Sequence, residues 1–184
     1  MGSLNPDEVK SFVARHDVPI RTFVETGTHR GTTLRAIYES KLFETLHSIE
    51  LSDALYHSAV EAFQGSGITL HHGDSAWVLG RLALELEDPV LFWLDAHWYD
   101  DRDAAKGLCP LFSELEGIAW RPQSDIVIID DVQCFGEKWA DCPEGDWTYI
   151  REDSILDRLG RNRIAQHYVE GYKLVVHRNA IQSG

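Results

Sequence analysis

The sequence of 184 residues is short of positive charge. Against 30 Asp and Glu it sets only 17 Lys and Arg, for a formal net charge of −13 and a pI near 5.0. Nucleic-acid binding needs cationic surface to displace counterions, so DNA and RNA are excluded as partners, and anionic membrane surfaces are disfavoured on the same ground. No apolar run approaches the roughly 18 residues of a membrane span. The opening M-G-S-L-N-P-D-E lacks the basic-then-apolar pattern of a leader, and Pro6 breaks the myristoylation pattern that Gly2 would begin. Cysteine is scarce: Cys109, Cys134 and Cys142 form an odd set without C-x-x-C spacing, which reads as reduced thiols in a cytoplasmic protein. Internal repeats and low-complexity tracts are missing as well. What is present is an ordinary globular composition, 43% hydrophobic and 26% charged, at a length that suits one domain over 1–184.

The chain is organised around 21–33, R-T-F-V-E-T-G-T-H-R-G-T-T. A short apolar pair, Phe23 and Val24, runs into Glu25, and Gly27 and Gly31 then bracket a turn before a helical pattern opens at Thr32. Strand, tight turn and helix N-terminus is how open α/β sheets hold nucleotide-like ligands. Glycines allow backbone conformations and close approaches that a Cβ forbids, and the helix start offers free N–H donors. Glu25 would repel a phosphate and suits a cationic or hydroxyl-bearing ligand. His29 stands where a dinucleotide fingerprint has its middle glycine, so that fingerprint is not met.

Along the chain, Asn5-Pro6-Asp7-Glu8 is a strong helix start for an N-terminal helix within 1–17. Strands are predicted at 20–24, 46–50, 68–71, 89–95 and 125–131. Helices follow at 32–42, 51–63, from Ser75 to about 86, and from 110 to 120. The loop 96–108 is polar. The segment 132–150 is too long for an ordinary connection and reads as an active-site loop. A helix at 152–159 and a hairpin at 163–177 close the sequence.

Chemistry collects at the carboxyl ends of the strands, which finish in Glu25, Glu50, Asp74, Asp95 and the pair Asp130-Asp131. Five successive strand ends carrying acids form a stronger signal than the glycine turn.

E-x-G-x-x-x-G, the acid Glu50 about 20 residues further on, and the order of elements together resemble class I S-adenosylmethionine-dependent methyltransferases. The resemblance spans nearly the whole chain. It implies a Rossmann-like three-layer sandwich, with a seven-stranded, mostly parallel sheet that ends in an antiparallel hairpin. It also implies that Glu25, Gly27, Thr28, Gly31 and Thr32 border the methionyl part of the cofactor, that Glu50 takes the ribose, and that Asp74, Ser75 and Asp95 lie along the rest of it. The stretch F-W-L-D-A-H-W followed by I-I-D-D resembles the metal-dependent O-methyltransferases of the catechol and macrocin types. That resemblance implies Mg²⁺ or Mn²⁺ on Asp95, Asp130 and Asp131, and a small hydroxylated acceptor. The catechol enzymes carry Asn where this chain has Asp131, and a lysine base where it reads Ala96-His97-Trp98. Asp95 and His97 are accordingly the candidate catalytic groups, with His97 open to a role as base, structural residue or additional ligand. The competing readings are a metal-independent methyltransferase, a non-catalytic S-adenosylmethionine-binding domain and a metal hydrolase. A homodimer would let a neighbouring subunit help recognise the acceptor.

Overall fold

In the computed structural model, residues 4–97, 109–138 and 146–181 are described. Seven strands form one sheet: β1 (Thr22–Thr26), β2 (Thr45–Glu50), β3 (Thr69–His72), β4 (Val90–Leu94), β5 (Asp125–Ile129), β6 (Ile164–Glu170) and β7 (Lys173–Arg178). Their spatial order is β3-β2-β1-β4-β5-β7-β6. The first five run parallel, and β7 pairs antiparallel with both β5 and β6. This is the sandwich expected from the sequence.

Alternation of side chains on the central strands creates two cores. Phe23, Leu91, Trp93, Ile126 and Ile128 point to one face. There they meet Val9 and Phe12 of α1 (Pro6–His16), Leu34 and Ile37 of α2 (Thr32–Ser40), and Ala59 of α3 (Asp53–Ala62). Val24, Phe92, Leu94, Val127 and Ile129 point to the other. Against them lie Leu79 and Leu82 of α4 (Ser75–Glu85), Leu115 and Ile118 of α5 (Leu111–Ala119), and Ile155 and Leu156 of α6 (Glu152–Arg158).

The first helix starts as its sequence dictates. The Asn5 side chain accepts from the amides of Asp7 and Glu8, and Glu8 returns a bond to the Asn5 amide at 3.1 Å. The first strand begins two residues later than its apolar pattern implies. Ile20 is tied back to the Val18 carbonyl in the turn around Pro19, and pairing begins only at Thr22 opposite Thr45. After β5 a single turn, Val132–Cys134, leads to a bridge between Lys138 and Asp146. The middle of the 132–150 segment with Cys142, and most of the 96–108 loop with Trp98, lie outside the described residues.

The amino-terminal edge of β5 is held by charge. Asp125 is fully buried and accepts from the Val90 amide and from the Arg121 guanidinium through both oxygens at 3.0–3.1 Å. Arg121 also donates to the carbonyls of Ala83, Leu86 and Asp88, where α4 ends. Arg178, equally buried, lies 3.5 Å from Asp125 and donates to Ile118 and Ala119 at the end of α5 and to Leu159 at the end of α6. Guanidinium groups thus satisfy the terminal carbonyls of three helices. Asp125→Ala would leave two buried cations without a counter-charge. It should lower unfolding free energy by about 3–5 kcal/mol in urea melts, a loss that a merely surface ion pair would not give.

Candidate active site

The order β2-β1-β4-β5 places the topological switch between β1 and β4, where successive connections leave toward opposite faces and open a crevice. The loop 27–31 forms one lip. Gly27 and Thr28 both donate to the Ile49 carbonyl, and Gly31 donates to Thr28 at 2.8 Å. A Cβ on Gly27, whose φ is +82°, would stand 2.6 Å from the Asp95 carbonyl oxygen and 3.0 Å from the Ala96 Cα. A Cβ on Gly31 would stand 2.7 Å from the Phe63 ring. Both glycines are therefore required by the protein's own packing. The close approach read from the sequence is made, in the direction a side chain would take, by the turn after β4. Among the described residues no side chain caps α2, which leaves its first amides available to a ligand, and Thr32 beside them is exposed.

The wall of the crevice is acidic. Glu25, 2% exposed, accepts from the Ser48 hydroxyl at 2.7 Å, and Ser48 in turn meets the Thr28 hydroxyl at 2.6 Å. Burial pushes the Glu25 carboxyl up to about 8; the bond from Ser48 opposes this and the nearby Glu50 adds to it. Glu50 ends β2 and is also buried. It accepts from the His29 amide at 2.7 Å through one oxygen and from the Ser52 amide at 2.8 Å through the other. Each oxygen keeps a second lone pair. Asp74 is exposed and accepts from the Ala76 amide, capping α4, whose first residue, Ser75, is buried.

Beyond β4 and β5, donor atoms of Asp95, His97 and Asp131 lie within 4.8 Å of one another. His97 Nε2 is 3.9 Å from an oxygen of each aspartate. The His97 side chain is 4% exposed and stands edge-on to Trp147, with ring centroids 4.8 Å apart. Asp130 does not join this group. Its amide still bonds to the Leu94 carbonyl, continuing the β5 ladder and burying its side chain. Asp131 turns to φ +60° and projects elsewhere. Adjacent residues at a strand end diverge in this way, so the Asp130-Asp131 pair contributes one member to the cluster and His97 supplies the third.

Burial raises the Asp95 carboxyl, with Asp130, Glu25, Asp131 and Glu114 raising it further; among the described residues every charge that bears on it is an acid. Asp130 is raised chiefly by burial, then by Asp131. His97 is lowered by burial and is neutral, the form that donates a nitrogen lone pair. Two carboxylates and a neutral imidazole without a counter-charge fit a divalent cation.

Glu114 was not singled out by motif. It is fully buried on α5, and its helical spacing from Leu111, Leu115 and Ile118 puts an acid in the apolar stripe, a signal the sequence does contain. The hydroxyls of Ser75 and Thr26 favour its charged form, but neither meets hydrogen-bond geometry with either oxygen.

Among solved structures, the chain is similar to an amino pentose methyltransferase from Micromonospora echinaspora with S-adenosylmethionine bound. The two share 14% identity over 94% of this chain and 89% of that one, with a TM-score of 0.63. It is also similar to a Klebsiella pneumoniae protein assigned as an O-methyltransferase (17% identity, 97% and 82% covered, TM-score 0.61). A Staphylococcus aureus protein assigned as a caffeoyl-CoA O-methyltransferase is a further match (13% identity, 95% and 82% covered, TM-score 0.57). No family model matches the chain, and no curated protein matches it in sequence. The fold is that of the class I methyltransferases.

The buried acid under the crevice sets a pH dependence. Burial pushes the Glu114 carboxyl up to about 7 from its ordinary 4.5. Between those values the unfolded chain has released a proton that the folded chain keeps, so stability falls as pH rises through the window and levels off above about 7. Glu114→Gln should remove a penalty of about 3 kcal/mol at pH 8 and change little near pH 4.5. Urea melts of both proteins in EDTA across this range measure the difference; parallel curves would refute it.

Proposed function

We propose that the chain transfers the methyl group of S-adenosylmethionine to a hydroxyl of a small acceptor, with a divalent ion held by Asp95 and Asp131. The observation that supports this reading is a shared turn. The backbone of Asp95 rests on Gly27 in the candidate cofactor loop, while its side chain belongs to the cluster with His97 and Asp131. A cofactor in the first and an acceptor at the second would lie side by side. The similarity to methyltransferases, one of them solved with S-adenosylmethionine, points the same way.

S-adenosylmethionine brings an electrophilic methyl on a sulfonium, and a divalent ion brings a Lewis acid that makes an acceptor hydroxyl acidic at neutral pH. The chain's own groups do the rest. Glu50 accepts ribose hydroxyls through its remaining lone pairs, and Glu25 faces the ammonium, where a positive ligand favours its ionised form. The open amides at the start of α2 suit the ligand's carboxylate. Asp95 and Asp131 would hold the ion, which would supply a Lewis acid to the acceptor oxygen. Among the described residues, His97 and Asp95 are the groups positioned to take its proton. Trp147, 2% exposed, covers His97 and keeps water from that side.

S-adenosylhomocysteine should bind in calorimetry with a micromolar-range constant, about −8 kcal/mol. Glu50→Ala should weaken it by about 1.5–3 kcal/mol, the loss of a charged acceptor. Labelled methyl should pass from S-adenosylmethionine to a member of a sugar and phenol panel, stop on chelation and resume with added Mn²⁺. Absence of both heat and thermal shift sinks the reading; transfer undiminished in EDTA restores the metal-independent alternative.

A further inference from the structure

The imidazole of His97 has no hydrogen-bond partner among the described residues. Both Nδ1 and Nε2 are buried and unpartnered, while the side chain as a whole is 4% exposed. A histidine with a purely structural role almost always satisfies at least one nitrogen, because a buried polar atom left without a partner is costly. The contacts around the ring explain its position without satisfying it. Trp147 stands edge-on to it, and the two nearest acidic oxygens, on Asp95 and Asp131, are each 3.9 Å from Nε2, too far for a hydrogen bond.

That distance fits another relation. Atoms that share one ion at bond lengths of about 2.1 Å stand roughly 3–4 Å from one another. His97 Nε2 stands at this spacing from an oxygen of each aspartate, and the three residues each offer one donor atom within 4.8 Å of the others. Nε2 is equidistant from an oxygen of each carboxylate, and Trp147 packs edge-on against the ring. We propose that His97 Nε2 is the third protein ligand of this site, and that the site takes a transition-metal dication such as Mn²⁺, Co²⁺ or Zn²⁺ in preference to Mg²⁺. The inference rests on the preceding reading for the ion's place beside the acceptor.

The donor set carries the selectivity. Mg²⁺ is a hard ion that takes oxygen ligands and gives up water reluctantly, so a buried nitrogen is a poor exchange for it. Imidazole is a good ligand for the first-row transition dications, whose affinity for such mixed sites rises from manganese to copper and falls back at zinc. Asp130 acts from outside the ligand shell as an added negative charge, with one unpartnered buried oxygen. As a ligand, His97 has its lone pair engaged and cannot serve as the proton acceptor. Asp95 is then the remaining acceptor named above, or the proton leaves directly to water.

The test uses the full chain, stripped with chelator, and the metals alone. Co²⁺ should bind at one ion per chain with visible d–d absorption that reports a nitrogen–oxygen shell. Zn²⁺ and Mn²⁺ should compete for it, and Mg²⁺ should bind at least a hundredfold more weakly than Zn²⁺. His97→Ala should lose Co²⁺ affinity at least thirtyfold, while Asp130→Asn should change it less than threefold. Should His97→Ala fold poorly, pulsed electron paramagnetic resonance of the wild-type protein with Mn²⁺ decides the point: imidazole nitrogen coupling must appear. Mg²⁺ binding as tightly as Zn²⁺, an unchanged Co²⁺ spectrum in His97→Ala, or no nitrogen coupling would each overturn the proposal. Calorimetry with S-adenosylhomocysteine on the same samples separates the two claims. Cofactor binding without a nitrogen-ligated ion defeats this inference alone, whereas a nitrogen-ligated ion without cofactor binding upholds it and defeats the proposed methyl transfer.

Discussion

Two guanidinium groups and one carboxylate, all shut away from solvent, hold the lower edge of the sheet. Arg121 and Arg178 neutralise Asp125 and spend their remaining donors on the carbonyl ends of α4, α5 and α6. Those helices form the entire layer on one face, so their angle to the sheet is set where they stop. The other end of β5 carries Asp130 and Asp131 and has no such partner among the described residues. Lys173, a cation that bears on Asp130, is itself 3.1 Å from Glu8. One strand therefore bears acid at both ends, compensated below and uncompensated above. Compensation marks scaffold, and its absence marks a place where something else must bring positive charge.

Much of this layout was legible in the sequence because it rests on local rules. The Asn5 cap, the alternating central strands, the acids at strand ends and the final hairpin each follow from periodicity or capping within a few residues. The layer order followed from the family resemblance that the alternation of strands and helices helps to carry. What was not legible depends on direction in space. Asp130 and Asp131 look like equivalent neighbours, and only the left-handed turn at Asp131 parts them. His97 enters the cluster because the turn after β4 is pressed onto Gly27, a contact between Gly27 and Asp95 far apart in the chain that no local pattern encodes. Arg121 and Arg178 read as ordinary cations until the fold buries them. Glu114 is the intermediate case: its place in an apolar stripe was visible, but its position beneath Asp95 was not.

The crevice departs from the usual meaning of its own motif. Glycines between a strand and a helix are commonly read as room left for a ligand. Here that room is filled by the Asp95–Ala96 backbone and the Phe63 ring. The ligand-facing features are instead the oxygens of Glu25 and Glu50 and the uncapped start of α2. Spacing between the two halves of the site is set by one main-chain contact rather than by side-chain choice.

The first helix has a bearing on how the chain reaches this state. Its capping acid Glu8 pairs with Lys173, Arg15 pairs with Glu170, and His16 meets the Tyr168 hydroxyl at 3.3 Å. All three partners lie on the hairpin more than 150 residues away, and Arg178 of the same hairpin completes the clamp at Asp125. During synthesis the opening helix thus emerges long before these polar anchors exist. Its apolar residues Val9 and Phe12 share a core with Phe23, Leu34 and Ile37 nearby in the chain, but its charged face is tied down only when the hairpin is made. The hairpin thereby joins the two ends of the chain through contacts of high sequence separation, the kind of pairing that costs most loop entropy to close.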